Sequence, residues 1–136
     1  MRYLLDTNIW IALSKNNTPH LSNWLQHCPS NDIVLSSVVL AEIEYGIAKS
    51  QRREYNRQIF EHIIRLFNVV DFDAAAAKQY GWIRADLEQR GQLIGPNDMM
   101  IAAQALALNL DLITDNEKEF RRINGLRVEN WLRQSP

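Results

Sequence analysis

Cysteine is nearly absent from this chain. Its 136 residues include one, Cys28, so no intrachain disulfide can form and a cysteine-built metal cage is excluded. That usage points to a reducing, cytoplasmic compartment. Histidine is also scarce, and His20, His27 and His62 lack the spacing and setting of a zinc site. No run approaches the ~20 apolar residues of a membrane span, and no cationic segment followed by a long apolar stretch directs export. Phosphate-cradling glycine loops, dinucleotide fingerprints and Ser/His/Asp groupings are missing, as are repeats, low-complexity tracts and linkers. Net charge is small as well. A formal balance of -1 argues against a generally basic, sequence-indifferent nucleic-acid binder.

What is present is ordinary globular material, 46% hydrophobic and 23% charged. A chain of this length is expected to form a single domain over residues 1–136 and to bury roughly two thirds of its unfolded surface. The pattern predicts strands at Arg2 to Leu5, Ile33 to Leu35, Asn68 to Val70, Leu110 to Thr114 and Leu126 to Val128. Between them it predicts helices over Thr7 to Lys15 and His20 to His27, separated by a break at Asn16-Asn17-Thr18-Pro19. Ser36 or Ser37 caps the next helix, whose apolar stripe runs through Val39, Ile43 and Ile47, and a charged helix follows over Arg52 to Arg65. Asp73 caps Ala74 to Gln89, which Gly91 stops. Asp98 to Leu108 is apolar on nearly every side and so belongs centrally, and a short helix covers Glu117 to Arg122. Strands alternating with helices imply an α/β fold, an α/β/α sandwich around a mainly parallel sheet of four to five strands.

Carboxylates recur at one kind of place in that scheme. Asp6 follows the first strand, Asp98 opens an apolar helix, and Asp115-Asn116 follows the fourth strand, so all can face the carboxyl edge of a parallel sheet, where ligands bind. Glu42 falls on the apolar stripe of its helix, too far along to close a capping box with Ser36 or Ser37. The plainer readings are a helix N-cap for Asp6, a buried Arg partner for Glu42 and dipole compensation for Asp98. Carboxylates converging in one cleft repel one another unless a cation neutralises them, and an oxygen-only donor set favours Mg²⁺ or Mn²⁺ over zinc. Neutralising Asp6, Glu42, Asp98 and Glu119 would turn the formal balance positive. Arg52-Arg53, Arg84, Arg90 and Arg121-Arg122 are then available for phosphates, so the charge permits an RNA substrate without requiring one.

Leu5-Asp6-Thr7-Asn8, Ser37 through Glu42, Gly95-Pro96-Asn97-Asp98-Met99-Met100-Ile101-Ala102 and Thr114-Asp115-Asn116 with Glu119-Phe120 closely resemble the PIN-domain ribonucleases. Arg84 with Leu87-Glu88 before Gly91, and Gly125 through Trp131, resemble more narrowly the VapC toxins of bacterial type II toxin-antitoxin modules. The resemblance spans essentially the whole chain. It implies a PIN-like fold and a Mg²⁺- or Mn²⁺-dependent endoribonuclease that cuts structured RNA, commonly transfer RNA or else ribosomal RNA, and so stops translation. It also implies a homodimer held inactive by a VapB-type antitoxin. By position Asp6, Glu42 and Asp98 are the first three acids of the PIN motif. The fourth position departs from many PIN domains, with Asn116 beside Asp115. Asn116 and Glu119 are therefore taken as the supporting groups, with Asp115 as the alternative.

These residues suggest a mechanism in which Asp6 and Asp98 bind the main metal while Glu42 and the Asn116/Glu119 region position a second ion or the attacking water. In-line displacement would leave 5'-phosphate and 3'-hydroxyl products. Arg84 either holds a substrate phosphate or forms an exposed ion pair with Glu88. One rival reading is a catalytically inactive PIN-like module whose groove receives an Arg-rich peptide. Another is an aspartyl-phosphate phosphatase, disfavoured because that class places a second Asp where Asn8 stands.

Overall fold

The computed structural model describes residues 1–15 and 18–136. The elements in chain order are β1 (Tyr3–Leu5), α1 (Thr7–Lys15), α2 (Pro19–His27), a 3₁₀ turn (Ser30–Asp32), β2 (Ile33–Ser36), α3 (Ser37–Lys49), α4 (Arg53–Ile64), β3 (Asn68–Val70), α5 (Ala74–Gln89), α6 (Pro96–Ala107), β4 (Asp111–Ile113), α7 (Glu117–Phe120) and β5 (Val128–Glu129). The break expected after α1 falls partly on Asn16 and Asn17, which lie outside the described residues. Helix α6 starts two residues earlier than its sequence pattern indicates, because Pro96 needs no N–H partner in the first turn. The last strand lies at Val128–Glu129 instead of Leu126 to Val128, where its residues pair with Leu112 and Ile113.

The five strands form one parallel sheet in the order β3-β2-β1-β4-β5. Leu4, Leu5, Val34, Leu35, Leu112 and Ile113 are fully buried, as expected of strands covered by helices on both faces in an α/β/α sandwich. Strand β1 lies centrally. The chain adds β2 and β3 on one side of it and β4 and β5 on the other, so the order reverses between β1 and β4. A crevice opens at the carboxyl ends of strands at such a reversal.

Helix α6 is buried on most sides, through Met99, Ile101, Ala102, Ala103 and Ala105. Gln104 interrupts that apolar surface and is only 1% exposed. Its amide nitrogen donates to the Val70 carbonyl at 3.1 Å, while its side-chain oxygen accepts from the Ser36 hydroxyl. Ser36 in turn caps α3, accepting from the backbone N–H groups of Val38 and Val39. A buried polar relay thus joins the ends of β2 and β3 to α6, and the sequence pattern did not disclose it.

Gly91 ends α5 at φ +64°, with the Gln92 N–H donating to the Leu87 carbonyl at 2.9 Å and its own N–H to Glu88 at 3.1 Å. That is a Schellman motif, which requires the left-handed conformation. Gly91→Ala is expected to lower unfolding free energy by about 1 kcal/mol; an unchanged urea midpoint would show that the motif contributes nothing.

Candidate active site

Asp6 leaves β1 at the reversal point and is 5% exposed. Its Oδ1 accepts from the Thr7 backbone N–H at 2.8 Å and its Oδ2 from the Thr114 hydroxyl at 2.8 Å. The Thr114 oxygen also accepts from the Asn116 N–H at 2.9 Å. One threonine at the end of β4 therefore fixes both the acid of β1 and the loop that follows β4. The capping role of Asp6 is compatible with a second role, since its carbonyl takes the first helical bonds from Ile9 and Trp10 while the carboxylate stays in the crevice.

Asp6, Thr7, Asn8, Ile11, Glu42, Asp98 and Asn116 line one open pocket of about 250 Å³. Glu42 is half-buried, at the margin of the apolar stripe formed by Val39, Ile43 and Ile47 and not within it. Its partner is the Thr7 hydroxyl, which donates to Oε1 at 2.6 Å; no Arg pairs with it among the described residues. Glu119 does not line the pocket. It accepts from the Asn116 side-chain amide at 3.0 Å through Oε2, which ties it to the rim. Asp115 is exposed and engaged elsewhere, accepting from Asn130 at 2.9 Å and pairing with Arg133 at 3.8 Å. Arg84 lies outside the pocket lining, bonded to Glu88 at 3.2 Å and to the Tyr80 hydroxyl at 3.0 Å.

Among the described residues, no ion pair involves Asp6, Glu42, Asp98 or Glu119. The consequence is electrostatic. Burial first, then the charges of Asp6, Glu42 and Glu119, push the Asp98 carboxyl up to about 6. Burial also raises Asp6, against the downward pull of its Thr114 and Thr7 hydrogen bonds, with Glu42 adding to the rise. A pocket of uncompensated carboxylates suits a divalent cation held through oxygen. Among the described residues, no three His, Cys, Asp or Glu side chains form a ready metal cage. Mg²⁺ is commonly held by one or two carboxylates with retained waters, so the donor set still fits it.

The sequence pattern gives Thr7 and Thr114 no role beyond their membership of the motif runs. A hydroxyl beside each strand-end acid was the available signal. Thr114→Val would leave the buried Asp6 oxygen and the Asn116 N–H short of a partner. It is expected to destabilise the fold by roughly 1 to 3 kcal/mol, and full retention of the thermal midpoint would refute the bridging role.

A family model described as PIN domain matches residues 3–126. Over 132 residues the chain is 42% identical to ribonuclease VapC2 of Rickettsia felis, covering 96% of this chain and 98% of the relative. It is 40% identical over 131 residues to the tRNA(fMet)-specific endonuclease VapC of Shigella flexneri, with the same coverage. Among solved structures it is similar to a chain of the DNA-bound VapBC complex of Salmonella typhimurium, with a TM-score of 0.91 and 37% identity over 96% of this chain and 98% of that one.

Proposed function

The chain belongs to the PIN-domain family, and within it to the VapC ribonucleases, and from that premise we propose that Asp6, Glu42 and Asp98 carry RNA cleavage, with Asn116 and Glu119 supporting them. The observation behind this assignment is the meeting of those three acids with Asn116 in one pocket, lined by no Lys or Arg, at the sheet's reversal point. Nucleases of this family generally depend on a divalent metal. Here Asp6 and Asp98, with Glu42 beside them, would hold Mg²⁺ or Mn²⁺, which when bound supplies charge neutralisation at the scissile phosphate and an activated water.

The remaining work falls to the chain itself. Thr114 and the Thr7 N–H orient the two Asp6 oxygens, the Thr7 hydroxyl orients Glu42, and the Asn116 amide turns Glu119 toward the rim. Carboxylates held in this way need little rotamer searching, which lowers the reorganisation needed for in-line attack.

Transfer RNA is the proposed substrate, supported by the name of the Shigella flexneri relative, and its cleavage would inhibit translation. Pairing with a VapB-type antitoxin is supported by the Salmonella typhimurium complex. We place the protein in the cytoplasm as a homodimer, each chain a single domain over residues 1–136. No helix of the described residues is long and apolar enough to cross a membrane.

The test is end-mapped cleavage of total bacterial RNA by the purified chain and by Asp6→Ala, with Mg²⁺, Mn²⁺ or chelator. Discrete metal-dependent cuts that vanish in the variant are expected. A folded parental chain that makes no cuts with either metal would favour the partner-binding module. Mg²⁺ in large excess is also expected to raise the thermal midpoint of the parental chain and not that of Asp6→Ala.

A further inference from the structure

The hairpin joining α3 to α4 concentrates positive charge. Lys49, Arg52, Arg53 and Arg57 face a single acid in that stretch, Glu54. Arg57 is occupied by Glu44 at 3.2 Å, whereas Lys49, Arg52 and Arg53 have no carboxylate partner among the described residues. Two of these cations lie over tyrosine rings. Lys49 Nζ is 4.8 Å from the Tyr45 centroid, and the Arg52 guanidinium carbon is 4.0 Å from that of Tyr55. Both rings are unusually open to solvent, Tyr45 at 66% and Tyr55 at 51% exposed. Neither ring belongs to the core or packs against it.

The patch begins within one turn of α3 from Glu42, which lines the acidic pocket. Glu42, Tyr45 and Lys49 stand at i, i+3 and i+7 along α3 and share one side of it, so Lys49 lies about 10 Å along the axis from Glu42. Glu42 and Ile11 line both the acidic pocket and a neighbouring groove that runs past Gly46 and Ile47 to Asn56 on α4. A strand whose phosphate reaches the carboxylates needs cations nearby to hold its other phosphates, and the α3–α4 hairpin supplies them.

We propose that this tyrosine and cation patch binds an unpaired segment of the RNA substrate, with bases stacked on Tyr45 and Tyr55 and phosphates at Lys49, Arg52 and Arg53. The proposal rests on the ribonuclease reading above. Splayed bases stack on aromatic side chains and arginine planes irrespective of sequence, and this combination is how single strands are held. A second copy of the chain fits the patch less well, because an isologous contact centred here would oppose like charges.

Binding is read with a fluorescein-labelled RNA hairpin bearing an unpaired loop, against a fully paired RNA duplex, using chains made non-cleaving by Asp98→Asn. Tyr45→Ala/Tyr55→Ala is expected to weaken hairpin binding roughly tenfold or more while changing duplex binding little. Tyr45→Phe/Tyr55→Phe is expected to retain hairpin affinity within about threefold, since stacking needs no hydroxyl. Lys49→Gln/Arg52→Gln should reduce the slope of log affinity against log salt by about 0.7 per cation, a readout that a purely structural role would not move.

Parental binding and cleavage combined with unchanged affinity and salt slope in folded patch variants would overturn the patch alone. Loss of the dimer in sedimentation of the same variants would overturn it in favour of a chain-to-chain contact. Failure of the parental chain to bind or cut RNA at all would remove the ribonuclease reading and the patch with it.

Discussion

Asp98→Asn is expected to lower RNA cleavage at least roughly a hundredfold under saturating Mg²⁺ while leaving the metal-free chain more stable at pH 8. The two effects share a cause. Asp98 sits in the first turn of α6, near Asp6, Glu42 and Glu119 and with no Lys or Arg partner among the described residues, and burial together with those charges lifts its carboxyl from 3.8 to about 6. Between those values the unfolded chain has already released a proton that the folded chain retains. Stability of the metal-free protein therefore falls as pH rises through that window and stays lower above it. Asparagine does not titrate, so the variant's advantage is absent below about pH 4 and complete near pH 7. Asp98 is only half-buried, so solvent screening reduces the gain to about 1 kcal/mol. Urea unfolding with chelator at pH 4 and pH 8, beside a cleavage assay with ample Mg²⁺, separates the two effects. Cleavage at the parental rate, or a variant less stable at pH 8 than at pH 4 relative to the parent, would remove Asp98 from the site.

Trp131→Ala should cost about 3 to 5 kcal/mol, the loss expected on truncating a fully buried indole. Trp131 is fully buried although it lies five residues from Pro136, outside the last strand. It meets the Tyr3 ring edge-on at 4.8 Å and stacks on Trp24 at 4.8 Å with planes 6° apart. The contact joins the segment after β5 to β1 and to α2. Trp24 also donates from its indole nitrogen to the Gln134 carbonyl at 2.5 Å, and Asn130 bonds to both Asp115 and Glu117, so the same segment braces the loop that carries Asn116. Truncation opens a cavity of indole size that rigid strand neighbours cannot close. Guanidinium unfolding monitored by far-UV dichroism provides the measurement; a loss under about 1 kcal/mol would mean that the terminal segment packs independently of the core.

Helix and strand positions followed from local signals. The stripe of Val39, Ile43 and Ile47, the Asp73 cap and the Gly91 stop each act within a few residues, so a linear reading recovers them. The apolar character of α6 likewise announced its central place. One boundary was set by a neighbour: β5 is located by its pairing with β4, a partner that periodicity does not identify.

The sequence by itself determined the alternating α/β plan, the impossibility of an intrachain disulfide, and a set of strand-end acids whose motif order resembles the PIN family. Tertiary structure alone decided what each acid touches. Glu42 binds a threonine 35 residues away where an arginine had been the plainer expectation, and Asp6 binds one 108 residues away. Asn116 faces the pocket while Asp115 turns to Asn130 and Arg133. Gln104, set in an apolar helix, closes a relay between strand ends. Hydrophobic period and capping are local free energies written along the chain. Hydrogen-bond partners across a sheet depend on strand order, and that order is fixed only when the whole core packs.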